Sequence, residues 1–150
     1  FNEFGDAGNG TIVVEGDLYI NNDITYSKDA DDGYSLGNID ELPSVAFIVK
    51  GDIIIGSNVQ KLVGVYVALD DPNTVPVEGS IYTGTGSAGT LEVNGAMIAY
   101  KFFFEREGIV ESGINKPSEQ ILYDGRLLAN PPPGLQNFAE TLPQIGETSL

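Results

Sequence analysis

The chain has 150 residues, with 22 acidic against 7 basic side chains, a formal charge of -15, and neither cysteine nor histidine. The missing cysteine removes disulfides, thiol nucleophiles and thiolate metal sites, and the missing histidine removes imidazole catalysis and the commonest zinc sites. Seven cations, Lys28, Lys50, Lys61, Lys101, Arg106, Lys116 and Arg126, are scattered along the sequence, so no concentrated positive surface is offered to nucleic acid or an anionic membrane.

Residues Phe1 to Gly10 are rich in Gly and Asn and read as a lead-in or cap. Thr11 to Ile20 has strand chemistry. From Ser27 to Pro43, Asp29, Asp31, Asp32, Asp40 and Glu41 stand among glycines with little apolar content, the composition of a long loop. Val45 to Val67 is nearly continuous strand, broken at Gly51, at Gly56-Ser57-Asn58 and at Gly64. Near-continuous apolar runs of this kind suit parallel strands whose inner face is buried and whose outer face is partly covered. A second loop follows at Asp70 to Pro76.

Strand chemistry resumes at Ser80 to Thr83 and Thr90 to Glu105. Period-two alternation assigns Tyr100, Phe102 and Phe104 to one face, read as core, and Lys101, Phe103 and Glu105 to the other. Ser118 to Leu128 is interrupted by Gly125 and is allowed one turn of helix. Beyond Asn130, Pro131-Pro132-Pro133 forces an extended course. Arg126 is placed as the anchor of this strap, and Phe138, Leu142 and Ile145 as tacks along the flank of the body.

One pattern organises these pieces. Val14-Glu15-Gly16-Asp17-Leu18-Tyr19-Ile20, Val49-Lys50-Gly51-Asp52-Ile53-Ile54-Ile55 and Val93-Asn94-Gly95-Ala96-Met97-Ile98-Ala99 each set a glycine inside apolar alternation, and Val63-Gly64-Val65-Tyr66-Val67-Ala68 is close. A recurring strand with a turn glycine predicts layered copies that bury a shared apolar column. The fold expected is all-β, a right-handed parallel β-solenoid (β-helix) of four to six short rungs. Residues 1–10 form its cap, 11–128 the solenoid and 129–150 the extended Pro-rich tail, with long loops thrown out between rungs. In-register layers, about 4.8 Å apart, would place Glu15 beside Lys50, a favourable pair. Asp17 would face Asp52, a costly one unless solvent, a turn amide or a cation intervenes.

The Gly-Asp-Leu/Ile strands at Gly16 and Gly51, the segments at Gly64 and Gly95, and the Tyr123 to Leu135 tail resemble the β-solenoid domains of bacterial exported cell-surface and pilin-like proteins. They are similar, more loosely, to bactofilin-type solenoids. The resemblance implies an extracellular or cell-surface structural element and carries over no site residue.

The function expected is a non-enzymatic surface-display module, part of a filament or appendage, or an adhesin. Its partners would be other surface or appendage subunits, itself included. Phe1, Phe4 and Phe103 are the contact aromatics. No catalytic residue is named, no cofactor is required, and this segment does not insert in a membrane. Asp29, Asp31 and Asp32 form a candidate calcium site, because hard cations take clustered carboxylates on a turning backbone. The alternative is a carbohydrate-binding or carbohydrate-processing solenoid with Tyr66, Tyr82 and Tyr100 as stacking platforms, a reading decided by which way those rings face.

Overall fold

The computed structural model describes residues 3–4, 9–26, 42–69, 79–86 and 89–136. Strands dominate. In chain order they are β1 (Glu3–Phe4), β2 (Asn9–Glu15), β3 (Leu18–Ile20), β4 (Thr25–Tyr26), β5 (Ser44–Lys50), β6 (Ile53–Ile55) and β7 (Lys61–Leu69). There follow β8 (Ser80–Tyr82), β9 (Leu91–Ile98), β10 (Lys101–Phe103), β11 (Ile109–Glu111), β12 (Ile114–Lys116), β13 (Glu119–Leu122) and one helical turn, α1 (Arg126–Ala129).

The chain alternates between two parallel sheets. The larger has the order β13-β9-β7-β5-β2 and the smaller β10-β8-β6-β3, so each adds its strands in chain order. We call β2–β3 the first pass, β5–β6 the second, β7–β8 the third and β9–β10 the fourth. β1 pairs with β4 in parallel, and β11 with β12 as an antiparallel hairpin. Register follows the glycine pattern: Val14 opposes Val49, Leu18 opposes Ile53, and Gly64 opposes Gly95.

The interior is made by every second residue. Val45, Phe47 and Val49 of β5, Ile53 and Ile55 of β6, Leu62 and Tyr66 of β7, Ile81 of β8, and Leu91 and Val93 of β9 form one apolar cluster. Phe47 and Tyr66, paired in register, stack with centroids 5.2 Å apart. Each fully buried aliphatic or aromatic side chain contributes about 1.5 to 3 kcal/mol from leaving water. The Tyr66 hydroxyl donates to the Val63 carbonyl at 2.9 Å, which satisfies the one polar atom that this core position brings in.

Gly64 and Gly95 explain why β7 and β9 can stack so closely. Both have positive φ (105° and 156°), and a Cβ on Gly95 would collide with the Gly64 carbonyl. Only glycine combines that backbone with that approach.

Local details depart from the sequence reading. Thr11 to Ile20 is two strands rather than one, bent at Gly16, whose φ is 94°. The aromatic run divides differently: Phe102 packs against the core, while Tyr100 lies in the bend before β10 and is 74% exposed. Phe104 is also exposed and stacks on Phe102 at 5.7 Å. Alternation holds only inside a strand, and β10 begins at Lys101. In Ser118 to Leu128 the single helical turn exists at Arg126–Ala129, but Glu119–Leu122 is strand because it pairs with Leu91–Asn94 of β9. The ladder outweighs local propensity there.

Among the described residues the strap runs to Gln136. Leu127 and Leu135 lie on the outer face of the larger sheet, against Ala46, Val65, Val67 and Ala96. Asn9 donates its side-chain amide to Asn130 Oδ1 at 2.8 Å, Ser44 donates its hydroxyl to the Asn130 carbonyl, and Asn130 donates to the Leu42 carbonyl at 2.8 Å. The segment after the last strand of the sheet is thereby tied to its first two strands. The Arg126 side chain pairs with Asp124 at 2.9 Å and lies over the Tyr26 ring at 4.4 Å.

Candidate functional site

The two boundaries of the stack offer different chemistry, and the first pass is the candidate. β2 and β3 are the outermost strands of their sheets, so along Asn9–Glu15 and Leu18–Ile20 every second backbone N–H and C=O faces away from the pairing partner. The pattern of polar contacts between passes shows what this edge is built to receive.

At the bend between the sheets, the Gly16 N–H donates to the Lys50 carbonyl at 3.1 Å and the Leu18 N–H to the Asp52 carbonyl at 2.9 Å. The intervening residue points its amide the other way. The Asp52 N–H donates to Asp17 Oδ1 at 2.9 Å, and in the next pass the Ser80 N–H donates to Asp52 Oδ1 at 2.8 Å. Each aspartate therefore caps the amide of the following pass, and the carboxylates are kept apart by a donor. This is the turn amide that the Asp17–Asp52 register required. At the top of the column the Asp17 N–H has no acceptor among the described residues.

The neighbouring column is ionic. Lys50 Nζ sits 2.6 Å from Glu15 Oε1, the pair expected from register, with the Glu15 side chain still largely exposed. Behind these groups lies a depression of about 370 Å³ lined by Ile12, Val14, Leu18, Ile20, Ile24 and Phe47, with Tyr19 and Asn21 among its polar members. Ile12, Val14 and Leu18 are only partly buried, although the same inward columns are fully buried one pass later at Val49 and Ile53. Among the described residues, the inward side chains of β2 and β3 thus have no covering strand beyond them.

At the other boundary the chain supplies its own cover. β13 pairs along the first half of β9, and a buried polar cluster fixes the approach. Arg106, 7% exposed, donates from Nε to the Thr83 carbonyl at 2.9 Å, from Nη1 to the Gly89 carbonyl at 3.3 Å and from Nη2 to the Gly56 carbonyl at 3.0 Å. Glu119 Oε1 accepts the Thr83 hydroxyl at 2.8 Å and the Arg106 N–H at 3.2 Å. Burial pulls the Arg106 guanidinium below its ordinary value, and Glu119 and Asp23 hold it up; guanidinium stays charged throughout. One side chain thus ties carbonyls from three separate segments.

The outer face of the smaller sheet carries the column Tyr19, Ile54, Tyr82 and Phe103 in register. Tyr82 and Phe103 stack face to face, 4.5 Å apart and within 1° of parallel, with Lys101 Nζ 4.8 Å from the Phe103 centroid. Their ring faces are therefore spent on each other and on the cation. Of the three tyrosines proposed as sugar platforms, Tyr66 is 0% exposed and faces the core, where burial pushes its phenol far above its usual range. Tyr82 is half-buried in the stack and Tyr100 is open. Tyr19, 64% exposed, is an open ring that the sequence reading passed over.

Of the other sequence-derived candidates, Asp29, Asp31 and Asp32 lie outside the described residues, as do Phe1 and the tail residues Phe138, Leu142 and Ile145. For Phe4 the backbone alone is described, in β1. Phe103 is half-buried under the contacts just given. Among the described residues no group of three acidic side chains is placed to hold a metal ion, and no helix is long and apolar enough to cross a membrane.

Two groups escaped the sequence reading. Asp23 Oδ1 accepts the amides of Gln60 at 2.7 Å and Lys61 at 3.0 Å, a second carboxylate-to-amide link, from the turn after β3 to the start of β7. Arg106 with Thr83 and Glu119 is the other. Neither belongs to the repeated glycine pattern, so periodicity carried no signal for them. No family model, no curated protein and no solved structure matches this chain.

Proposed function

We propose that the chain is a right-handed parallel β-solenoid of four passes, strapped by its C-terminal segment, and that it serves as a non-enzymatic structural or display module at the cell surface. In this reading it belongs to an appendage, a filament or an adhesin, and its partners are other surface subunits. The observation that carries it is the pair of parallel sheets that add strands in chain order around one apolar column. Such stacking gives a stiff body whose strength lies in layer-to-layer contact and whose boundaries are natural joints. The charge of -15 suits a solvated surface.

The test is exposure on intact source cells. An antibody raised against the folded chain should label unbroken cells, and external protease should remove the label. Labelling that appears only after lysis overturns the surface reading.

Calcium at Asp29, Asp31 and Asp32 remains part of the proposal, as the stiffening ion of an adhesin. A thermal midpoint that rises when calcium replaces chelator supports it, because a ligand of the folded state alone raises stability. Carbohydrate binding is the second reading, and it now leans on the open rings of Tyr19 and Tyr100.

A further inference from the structure

We infer that the first-pass edge is a docking site for one extended polypeptide segment, which adds to β2 and β3 in parallel and carries the pattern apolar-x-apolar-(Lys/Arg)-Gly-Asp-apolar-x-apolar. The inference rests on the structural-module reading and names the partner that its open boundary takes.

The pattern is written by the edge itself. Apolar positions of the added segment face Ile12, Val14, Leu18 and Ile20 and fill the depression they line. The position opposite Glu15 is a cation, because the neighbouring pass already shows that a lysine in register with Glu15 pairs with it at 2.6 Å. A cation there also meets a chain of net charge -15. The position opposite Asp17 carries a carboxylate. The Asp17 N–H is the open donor at the top of a column in which Asp17 caps Asp52 and Asp52 caps Ser80. Between them a glycine suits the bend, since Gly16 and Gly51 both hold positive φ there. The second pass of this chain, Phe47-Ile48-Val49-Lys50-Gly51-Asp52-Ile53-Ile54-Ile55, has that pattern and packs against the opposite side of the same two strands. Addition of a strand to a free sheet edge is a general mode of peptide recognition, with backbone bonds giving affinity and alternate side chains giving specificity.

A second copy of the chain is a poorer occupant. It brings another charge of -15 to the contact, and its last-pass boundary carries β13 over only the first half of β9, so that face is not flush. Copies meeting first pass to first pass would bring Glu15 and Asp17 of both near the joint.

Two synthetic peptides with identical solubilising flanks provide the test. One carries residues 44–55, with Lys50, and the other residues 9–20, with Glu15 at the matching place. The lysine peptide should bind the full chain with Kd on the order of 100 μM and the glutamate peptide at least about tenfold more weakly, the ratio narrowing as salt screens the pair. On binding, the Asp17 amide should gain protection from hydrogen exchange. Val13→Pro should abolish binding: Val13 is 57% exposed, its N–H lies on the unpaired side, and proline is tolerated at such edge positions. Equal binding of the two peptides, no binding of either up to about 1 mM, or protection that appears away from β2 and β3 overturns the inference. So does concentration-dependent self-association that Val13→Pro removes, because the occupant is then a second copy. None of these outcomes bears on cell-surface exposure, and failed surface labelling leaves the peptide result intact.

Discussion

Among the described residues, the chain at its first pass leaves β2 and β3 with one side unpaired and the inward side chains Ile12, Val14 and Leu18 partly exposed. At its last pass it spends Arg106, Thr83, Glu119 and β13 on covering β9. The contrast is between contacts that could be lost cheaply and contacts that could not. The first-pass edge is tied by an exposed ion pair and single aspartate caps, whereas the last-pass region is held by a buried guanidinium with three carbonyl acceptors. A stack needs its closed boundary to be stable, and it needs its open boundary to be regular enough to accept another layer. The repeated glycine bend supplies that regularity.

The sharpest way to break the comparison is at glycines. Gly95→Ala should cost about 4 kcal/mol or more, since the added Cβ collides with the Gly64 carbonyl. Gly16→Ala, at the first pass, meets nothing within 4 Å and should cost only about 1 to 2 kcal/mol, the strain of its positive φ. Urea unfolding of both variants reads the difference directly, and equal losses would show that the first pass is as crowded as the interior.

Next in size is the buried cluster. Arg106→Met should destabilise by about 3 kcal/mol, because one buried and two part-buried carbonyls lose their donor together. The breakage of the Glu15–Lys50 pair by Lys50→Ala should cost less than about 1 kcal/mol, as exposed ion pairs do. Similar losses from both would refute the division of labour between the two boundaries.

An effect of pH sharpens the interior against both boundaries. Burial and the neighbouring Tyr26 raise the phenol of Tyr66. Its folded value therefore lies above the unfolded value near 10, so its contribution is complete below about pH 10 and is lost as pH rises beyond it. Above that point the folding constant should fall by up to about tenfold per pH unit from this one group. Tyr66→Phe should cost about 1 kcal/mol at neutral pH for the lost bond to Val63 and should flatten the alkaline loss. An alkaline slope unchanged in the variant would place the titrating group elsewhere.

The all-β class and the parallel pairing were legible because the glycine pattern is a property of neighbouring passes. If Gly16 and Gly51 occupy one column, Glu15 must meet Lys50 and Asp17 must meet Asp52, and both meetings occur. Contacts outside that column were illegible. Asp23 caps amides across a corner with no repeated spacing, and Arg106 stands after Phe104-Glu105, where nothing in the sequence tells a buried cation from a solvated one. Tyr100 was misplaced for a related reason: period two was extended one residue past the start of β10, into a bend where alternation has no force. The open first-pass edge was foreseeable as a strand boundary, but its identity as the less covered one depended on β13 and Arg106, which the pattern did not contain.

Hydrogen exchange resolved at Gly16, Asp17 and Leu18 tests the central claim most directly. If the first pass lies parallel on the second with its far side open, the Gly16 and Leu18 amides, bonded to Lys50 and Asp52, are protected, and the Asp17 amide between them exchanges at least about 100-fold faster. Equal protection of all three would mean that the first pass is already covered, and the account of an open edge would be wrong.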